Sequence, residues 1–238
     1  MVLKKKDLYT QPFLCIYISL VNTMKIKIID KLKKKLHKDI ALVQDVVVDT
    51  IYEIFPRAVL HGGTAIWRCY QGARFSEDID IYLNKTELKR VDEFKKKLIQ
   101  KNLNIIKFKK TDNVIYAKIS FIGVEIRFEA SFFKKQEKII IKPYETIDGN
   151  YINVFTLSAE DLIKEKVNTY LSRQFIRDLY DIYVLLNYAE IKKIKNDLKR
   201  LLLKYKKPKD ETILQSLIFI GAIPTTQQIL IQIKKWAK

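Results

Sequence analysis

Between Ala58 and Leu83 the chain sets down four pieces in a fixed order, and this restricts the fold more than any other stretch of the sequence. Ala58-Val59-Leu60 is a short apolar run that reads as a strand. Gly62-Gly63 is a turn, and Thr64 follows as the cap of a helix running to about Tyr70, closed by Gly72. Asp78 to Leu83 then alternates acidic and apolar residues. A strand repeats every two residues, so Asp78 and Asp80 share one face while Ile79 and Ile81 fill the other.

The flanking sequence predicts an α+β fold. Residues 25–55 carry apolar side chains at helical spacing, among them Leu36, Val43, Val47 and Ile54, and Pro56 ends them. They make one long helix or two shorter ones. Residues 86–102 form a Lys-rich amphipathic helix. Strand-like runs follow at 104–109, 114–121 and 123–133, with Gly123 at a hairpin turn, and weaker ones at 138–142 and 151–155. From Ser158 the pattern turns helical to the end: 158–171, 174–188, 190–206, 210–220 and 225–236, with Ser158-Ala159-Glu160-Asp161 as a capping-box-like start. The expected organisation is a mixed sheet with flanking helices over 1–156, followed by a helical bundle over 157–238. Lys4, Lys5 and Lys6 precede an apolar stretch from Phe13 to Val21, which faintly resembles a signal sequence. The stretch lacks a small-residue cleavage site and is too short for a membrane span. Residues 1–23 are therefore read as a peripheral strand or tail, and the protein as cytoplasmic with no membrane partner.

The first segment also carries a possible chemistry. Glycines let a backbone take unusual dihedrals and let a ligand come close. Exposed N–H groups at a helix N-terminus favour phosphate, and the Thr64 hydroxyl adds a donor. Two aspartates at i and i+2 on a strand can hold a divalent cation, and carboxylate oxygens suit Mg²⁺ or Mn²⁺. Each piece alone is common: a Gly-Gly turn is mostly only a turn, and Asp-x-Asp is mostly a solvent-facing sheet edge. The specific signal is the ordered set. Only two histidines are present, His37 and His61, so a metal would have to rely on carboxylates. His61, at a strand end, reads more simply as a packing or capping residue. The two cysteines, Cys15 and Cys69, form no metal spacing and no disulfide framework, which fits a reducing cytosol.

The chain has 45 Lys+Arg against 27 Asp+Glu, a formal charge of +18. A field of that sign attracts nucleic acid or nucleotide. A Lys- and Ile-rich proteome raises the same count, so position must decide: a basic rim around Asp78 and Asp80 favours a polyanionic partner.

Two blocks carry a resemblance. Leu60-His61-Gly62-Gly63-Thr64-Ala65 with Arg74-Phe75-Ser76-Glu77-Asp78-Ile79-Asp80 is similar to the AbiEii-type toxin family of the DNA polymerase β-like nucleotidyltransferase superfamily. Lys164-Glu165-Lys166, then Arg173, then Arg177-Asp178-Leu179-Tyr180-Asp181 resembles the helical motif of the same family. Together they span about residues 58–188. The resemblance implies a metal-dependent nucleotidyltransferase that moves a nucleotide from an NTP to an acceptor and releases pyrophosphate. It places the triphosphate on Gly62, Gly63 and Thr64, with Arg74 and Ser76 near the phosphates. Asp78 and Asp80 would bind Mg²⁺ or Mn²⁺. Lys166 would touch phosphates from the helical half, and Asp178 would belong to the active centre. The superfamily often has a third carboxylate on a neighbouring strand; Glu125, Arg127 and Glu129 share a strand face, and Glu129 is preferred over Glu125. An ordinary exposed strand face looks the same. On residues alone, Lys166 reads as a solvated helix charge and Asp178 as a pair for Arg177 or Arg173, worth about 0.3 kcal/mol. Some family members are toxins that add nucleotides to the acceptor end of tRNA, which implies an RNA acceptor and a cognate antitoxin protein. Two other readings compete: a small-molecule, antibiotic-type nucleotidyltransferase, and a catalytically silent nucleotide- or RNA-binding module.

Overall fold

The computed structural model describes residues 26–133 and 138–238. The reading of residues 1–23, and Cys15, lie outside the described residues.

The helical spacing of residues 25–55 resolves into a short helix α1 (Ile28–Lys31) and a long helix α2 (Lys35–Ile54). Ile40, Val43, Val47, Ile51 and Ile54 form the buried stripe of α2, which packs on the sheet. Next come β1 (Val59–His61), α3 (Gly62–Cys69) and β2 (Ile79–Leu83). A 3₁₀ turn (Lys85–Arg90) leads into α4 (Val91–Gln100). The strands β3 (Asn104–Lys110), β4 (Val114–Phe121), β5 (Val124–Phe132), β6 (Ile139–Glu145) and β7 (Tyr151–Leu157) follow. Helices complete the chain: α5 (Ala159–Arg173), α6 (Ile176–Leu185), α7 (Ile191–Leu203), a 3₁₀ turn (Glu211–Ile213) with α8 (Leu214–Leu217), and α9 (Thr226–Ala237). Ser158 caps α5 by accepting from the Asp161 N–H, and Thr225 with Gln228 forms a full capping box on α9.

The strands make one mixed sheet in the order β3-β4-β5-β2-β1-β7-β6. β2 runs parallel to β5, and β1 parallel to β7; the other pairs are antiparallel. Along β5, Val124, Ile126, Phe128, Ala130 and Phe132 point into the core, while Glu125, Arg127 and Glu129 face out. The core is continuous: Leu60, Ile81 and Phe128 of the sheet belong to the same cluster as Leu162, Val167 and Leu179 of the helices. No described helix is long and apolar enough to cross a membrane.

Two elements differ from the sequence reading. The helix expected over 210–220 shrinks to a 3₁₀ turn and one turn of α8, because the chain then pairs sideways with the segment before β2. Phe75 donates its N–H to the Leu217 carbonyl and Phe219 donates to that of Ala73, both at 3.0 Å. Backbone groups satisfied in that bridge are not available to a helix. Thr64 is not a cap: α3 starts at Gly62 with His61 as its N-cap, and the Thr64 hydroxyl, fully buried, donates to the carbonyl of Asp78.

Candidate active site

The two central strands position the site. Register sets His61 of β1 opposite Asp80 of β2, and Asp80 opposite Glu129 of β5. One histidine and two carboxylates thus form a row across three strands. β1 then breaks into the glycine turn, where Gly62 has φ +70°, a left-handed value that favours glycine. A Cβ on Gly62 would run into the Asp80 carboxylate. A Cβ on Gly63 would lie 2.5 Å from Ser76 Oγ and 2.6 Å from Arg74 Nη2. The diglycine bend is therefore the floor on which Asp80 and Ser76 sit. Thr64 ties the first turn of α3 to the backbone of Asp78, and the Gln44 amide fixes the Ser76 carbonyl at 2.8 Å.

Asp78 lies one residue before β2 and is held by the outward face of β5. Arg127 donates from Nε to Oδ1 at 2.7 Å and from Nη2 to Oδ2 at 2.5 Å. Burial raises the pKa of Asp80; Asp78 adds to the rise, while His61 and Lys166 oppose it. Burial also raises Glu129, and the charge of Asp80 comes next. Asp80 and Glu129 thus repel each other, as carboxylates do when they share a site without a cation between them. Glu125 is paired elsewhere, to Lys118 across the β4–β5 hairpin.

Behind the turn lies a buried ionic lattice. Arg74 donates from Nε and Nη2 to Asp181 at 2.9 and 2.8 Å and from Nη1 to the Phe75 carbonyl at 3.1 Å. Lys166 Nζ reaches Asp181 at 2.8 Å and Asp178 at 3.8 Å, with its side chain only 9% exposed. Asp178 is fully buried and accepts two bonds of 2.8 Å from Arg173. Burial pushes Asp181 up, but Arg74 and Lys166 outweigh it, so its carboxyl sits below the usual carboxylate range.

The residues singled out from the sequence therefore divide. Gly62, Gly63, Ser76, Asp78, Asp80 and Glu129 come together at the turn. Arg74, Thr64 and Asp178 lie behind it with their polar atoms occupied, and Lys166 bridges the two groups, close enough to Asp80 to lower its pKa. The sequence reading did not assign Arg127, Asp181 or Glu165; it offered Arg173 as one possible partner of Asp178, and that pair forms. Arg127 stood in the Glu–Arg–Glu row, and Asp181 one turn after Asp178, so both signals were visible; the partners, 49 and 107 residues away, were not. Glu165 accepts from the Tyr82 hydroxyl at 2.7 Å and lies 3.4 Å from His61 Nδ1. His61 stacks on Tyr82 at 3.9 Å and so forms a packed wall beside Asp80.

A basic corner lies beside this centre, at the α5–α6 junction. Arg173 and Arg177 flank the ring of Phe175 at 5.2 and 5.5 Å. Burial lowers the Arg177 pKa, with Arg173 and Arg74 adding to the effect, and its buried Nε has no hydrogen-bond partner. The loop from Lys204 to Asp210 is fastened there: Lys209 N–H donates to the Gln174 carbonyl at 2.9 Å, and Asp210 accepts from the Ile176 N–H at 2.7 Å. Lys204, Lys206, Lys207 and Lys209 of this loop are exposed.

The donor set fits a hard divalent cation in kind: carboxylate oxygens from adjacent strands, mutual repulsion that a cation would relieve, and a glycine that leaves room. Among the described residues, no three His, Cys, Asp or Glu side chains are already arranged as a metal-binding group. Both oxygens of Asp78 are instead engaged by Arg127.

Two solved structures share this fold. JHP933 from Helicobacter pylori superposes with a TM-score of 0.56 at 18% identity, covering 87% of this chain and 93% of that one. A second H. pylori protein, proposed to be a nucleotidyltransferase, gives 0.55 at 20% identity, covering 84% and 93%. No curated protein matches the sequence. The profile of the family described as "Nucleotidyl transferase AbiEii toxin, Type IV TA system" matches residues 49–235, from within α2 into α9 and across the glycine turn, the carboxylates and the ionic lattice. The chain belongs to the AbiEii family of nucleotidyltransferases.

Proposed function

We propose that the protein transfers a nucleotidyl group from an NTP to the 3′ end of an RNA, with tRNA as the expected acceptor, and that it acts as the toxin of a cytoplasmic pair whose antitoxin neutralises it. The observation that carries the reading is the contact between the Asp80 carboxylate and Gly62, with Ser76 at the neighbouring glycine. Phosphates on the N–H groups at the start of α3 would lie beside Asp80, whose carboxylate would help to hold a cation.

In this reading Gly62 and Gly63 receive the triphosphate and Ser76 adds a donor. Asp78 and Asp80, with Glu129, would hold Mg²⁺ or Mn²⁺, which would supply charge neutralisation for phosphoryl transfer. Thr64 and Arg74 act one step back. Thr64 fixes the backbone of Asp78, and Arg74 supports Gly63 from below through Asp181. Lys166 joins the lattice through Asp181, and its charge favours the ionised form of Asp80. The basic corner of Arg173, Arg177 and the Lys204–Lys209 loop supports an RNA acceptor, since a polyanion would compensate the like charges gathered there. Further lysines stud α7 and α9, so this corner holds only part of the excess charge.

Incubating the protein with each labelled NTP, Mg²⁺ or Mn²⁺ and total RNA tests the reading. Label enters RNA with the wild type and not with Asp80→Ala. Label found only in small molecules, or in nothing, sinks the RNA assignment.

A further inference from the structure

The Asp78–Arg127 pair has an unusual setting. It is bidentate, yet the Arg127 side chain is 58% exposed and that of Asp78 32%. Arg127 lies on the outward face of β5, with Lys118 opposite it on β4 and Glu129 two residues on. More than half of the Arg127 side chain is exposed, so the guanidinium can leave by rotating into water. It also engages both oxygens of the carboxylate that the proposed reaction most needs for a cation. An exposed pair of this kind contributes little to folding. Its strength lies in geometry, because the planar fork of arginine matches a carboxylate.

We propose that Arg127 is a stand-in cation for Asp78: it gives way when a divalent cation arrives with a triphosphate, and then turns toward the phosphates. This rests on the metal-binding reading given above. Arg127 positions the Asp78 carboxylate, and its exchange couples the two ligands. A bare cation must displace the arginine unaided and binds weakly. A cation that comes with a triphosphate offers the arginine a new anionic partner, so the two bind cooperatively. The row Glu125, Arg127, Glu129 thus differs from an ordinary exposed strand face: Glu125 is held by Lys118, Glu129 stays near Asp80, and the arginine between them spans to a neighbouring strand.

The test is Mn²⁺ binding to the intact protein, followed by electron paramagnetic resonance with and without a non-hydrolysable NTP analogue. Arg127→Gln should bind Mn²⁺ about five-fold tighter than wild type without nucleotide, the equivalent of an exposed pair worth about 1 kcal/mol. The gain in Mn²⁺ affinity on adding nucleotide should shrink in the same variant. Arg127→Lys, which keeps charge but loses the fork, should fall between. A merely structural arginine would leave Mn²⁺ affinity unchanged or lower it when replaced, and either result overturns the proposal. Asp80→Asn separates the two levels. If it abolishes Mn²⁺ binding while Arg127→Gln changes nothing, only the stand-in role fails. If Asp80→Asn binds Mn²⁺ like wild type, the metal assignment fails and takes the stand-in role with it.

Discussion

Asp181 and Asp78 each accept two hydrogen bonds from an arginine over similar distances: 2.9 and 2.8 Å from Arg74, and 2.7 and 2.5 Å from Arg127. Their surroundings are opposite. Asp181 and Arg74 are nearly sealed from water, with Lys166 as a second cation on the same carboxylate. Asp78 and Arg127 stand at the surface with water able to compete. Identical pairing chemistry therefore yields different roles. In the dry lattice, removing one partner strands a buried charge, so the pair behaves as part of the frame. In the wet pair, solvent replaces whichever partner leaves, so the contact can be exchanged. The lattice forms a buried frame behind the turn, and the surface pair keeps Asp78 in a contact that water can replace.

The contrast can be broken by substitution. The largest effect is expected at the carboxylates: Asp78→Asn and Asp80→Asn should each cut nucleotide transfer about a thousand-fold, several kcal/mol of lost charge stabilisation. Their melting temperatures should stay close to wild type, and a retained rate in either variant refutes its assignment. Next comes the lattice. Asp181→Ala should lower the unfolding free energy by about 3–5 kcal/mol in urea titration, since it leaves Arg74 and Lys166 buried without their shared partner. This difference should depend on pH with a definite sign. The folded carboxyl titrates below its unfolded value of about 3.9, so its contribution is complete above that and fades as pH falls through the folded value. The gap between wild type and Asp181→Ala should therefore close in strong acid and stay flat from about pH 5 to 8. A gap that widened in acid would contradict the pairing.

Smaller effects follow. Gly62→Ala should cost at least about 1 kcal/mol from its positive φ, and it must also push Asp80 aside, so activity should fall further than stability does. Equal losses would mean that Asp80 does not rest on the bend. Arg127→Gln should move the unfolding free energy by less than about 1 kcal/mol. A loss as large as that of Asp181→Ala would erase the distinction between frame and exchangeable pair.

Much of this was legible in the sequence because local pattern carried it. The alternation of Asp78 to Leu83 and of Val124 to Phe132 gave β2 and β5 within a residue or two, since period-two burial leaves a direct trace. Gly62, Gly63, Ser76, Asp78 and Asp80 could be grouped because the turn and the acidic strand adjoin in the chain. What local pattern does not encode is which distant group pairs with which. The family resemblance set Arg74 near the phosphates, but the fold brings Asp181 to it, and Thr64 looks like a cap until the carbonyl of Asp78 appears beside it. Lys166 reads on residues alone as a solvated helix charge, and Asp178 as a pair for Arg177 or Arg173; the Arg173 pair forms, but both residues are buried because the helices pack against the site and against each other. The expected helix over 210–220 failed for a related reason: residues 217–219 serve as backbone partners for a segment some 140 positions earlier, and tertiary pairing overrode local preference.

That late pairing bears on how the protein comes into being. Synthesis runs from the N-terminus, and domains generally fold as their residues emerge. By the time Asp181 has been made, every proposed chemical group of the site exists. Leu217 and Phe219, which clamp Ala73 and Phe75 on either side of Arg74, have not yet been added. A chain made as far as Asp181 thus holds the proposed site side chains on a segment still waiting for its clasp, which arrives only with Leu217 and Phe219.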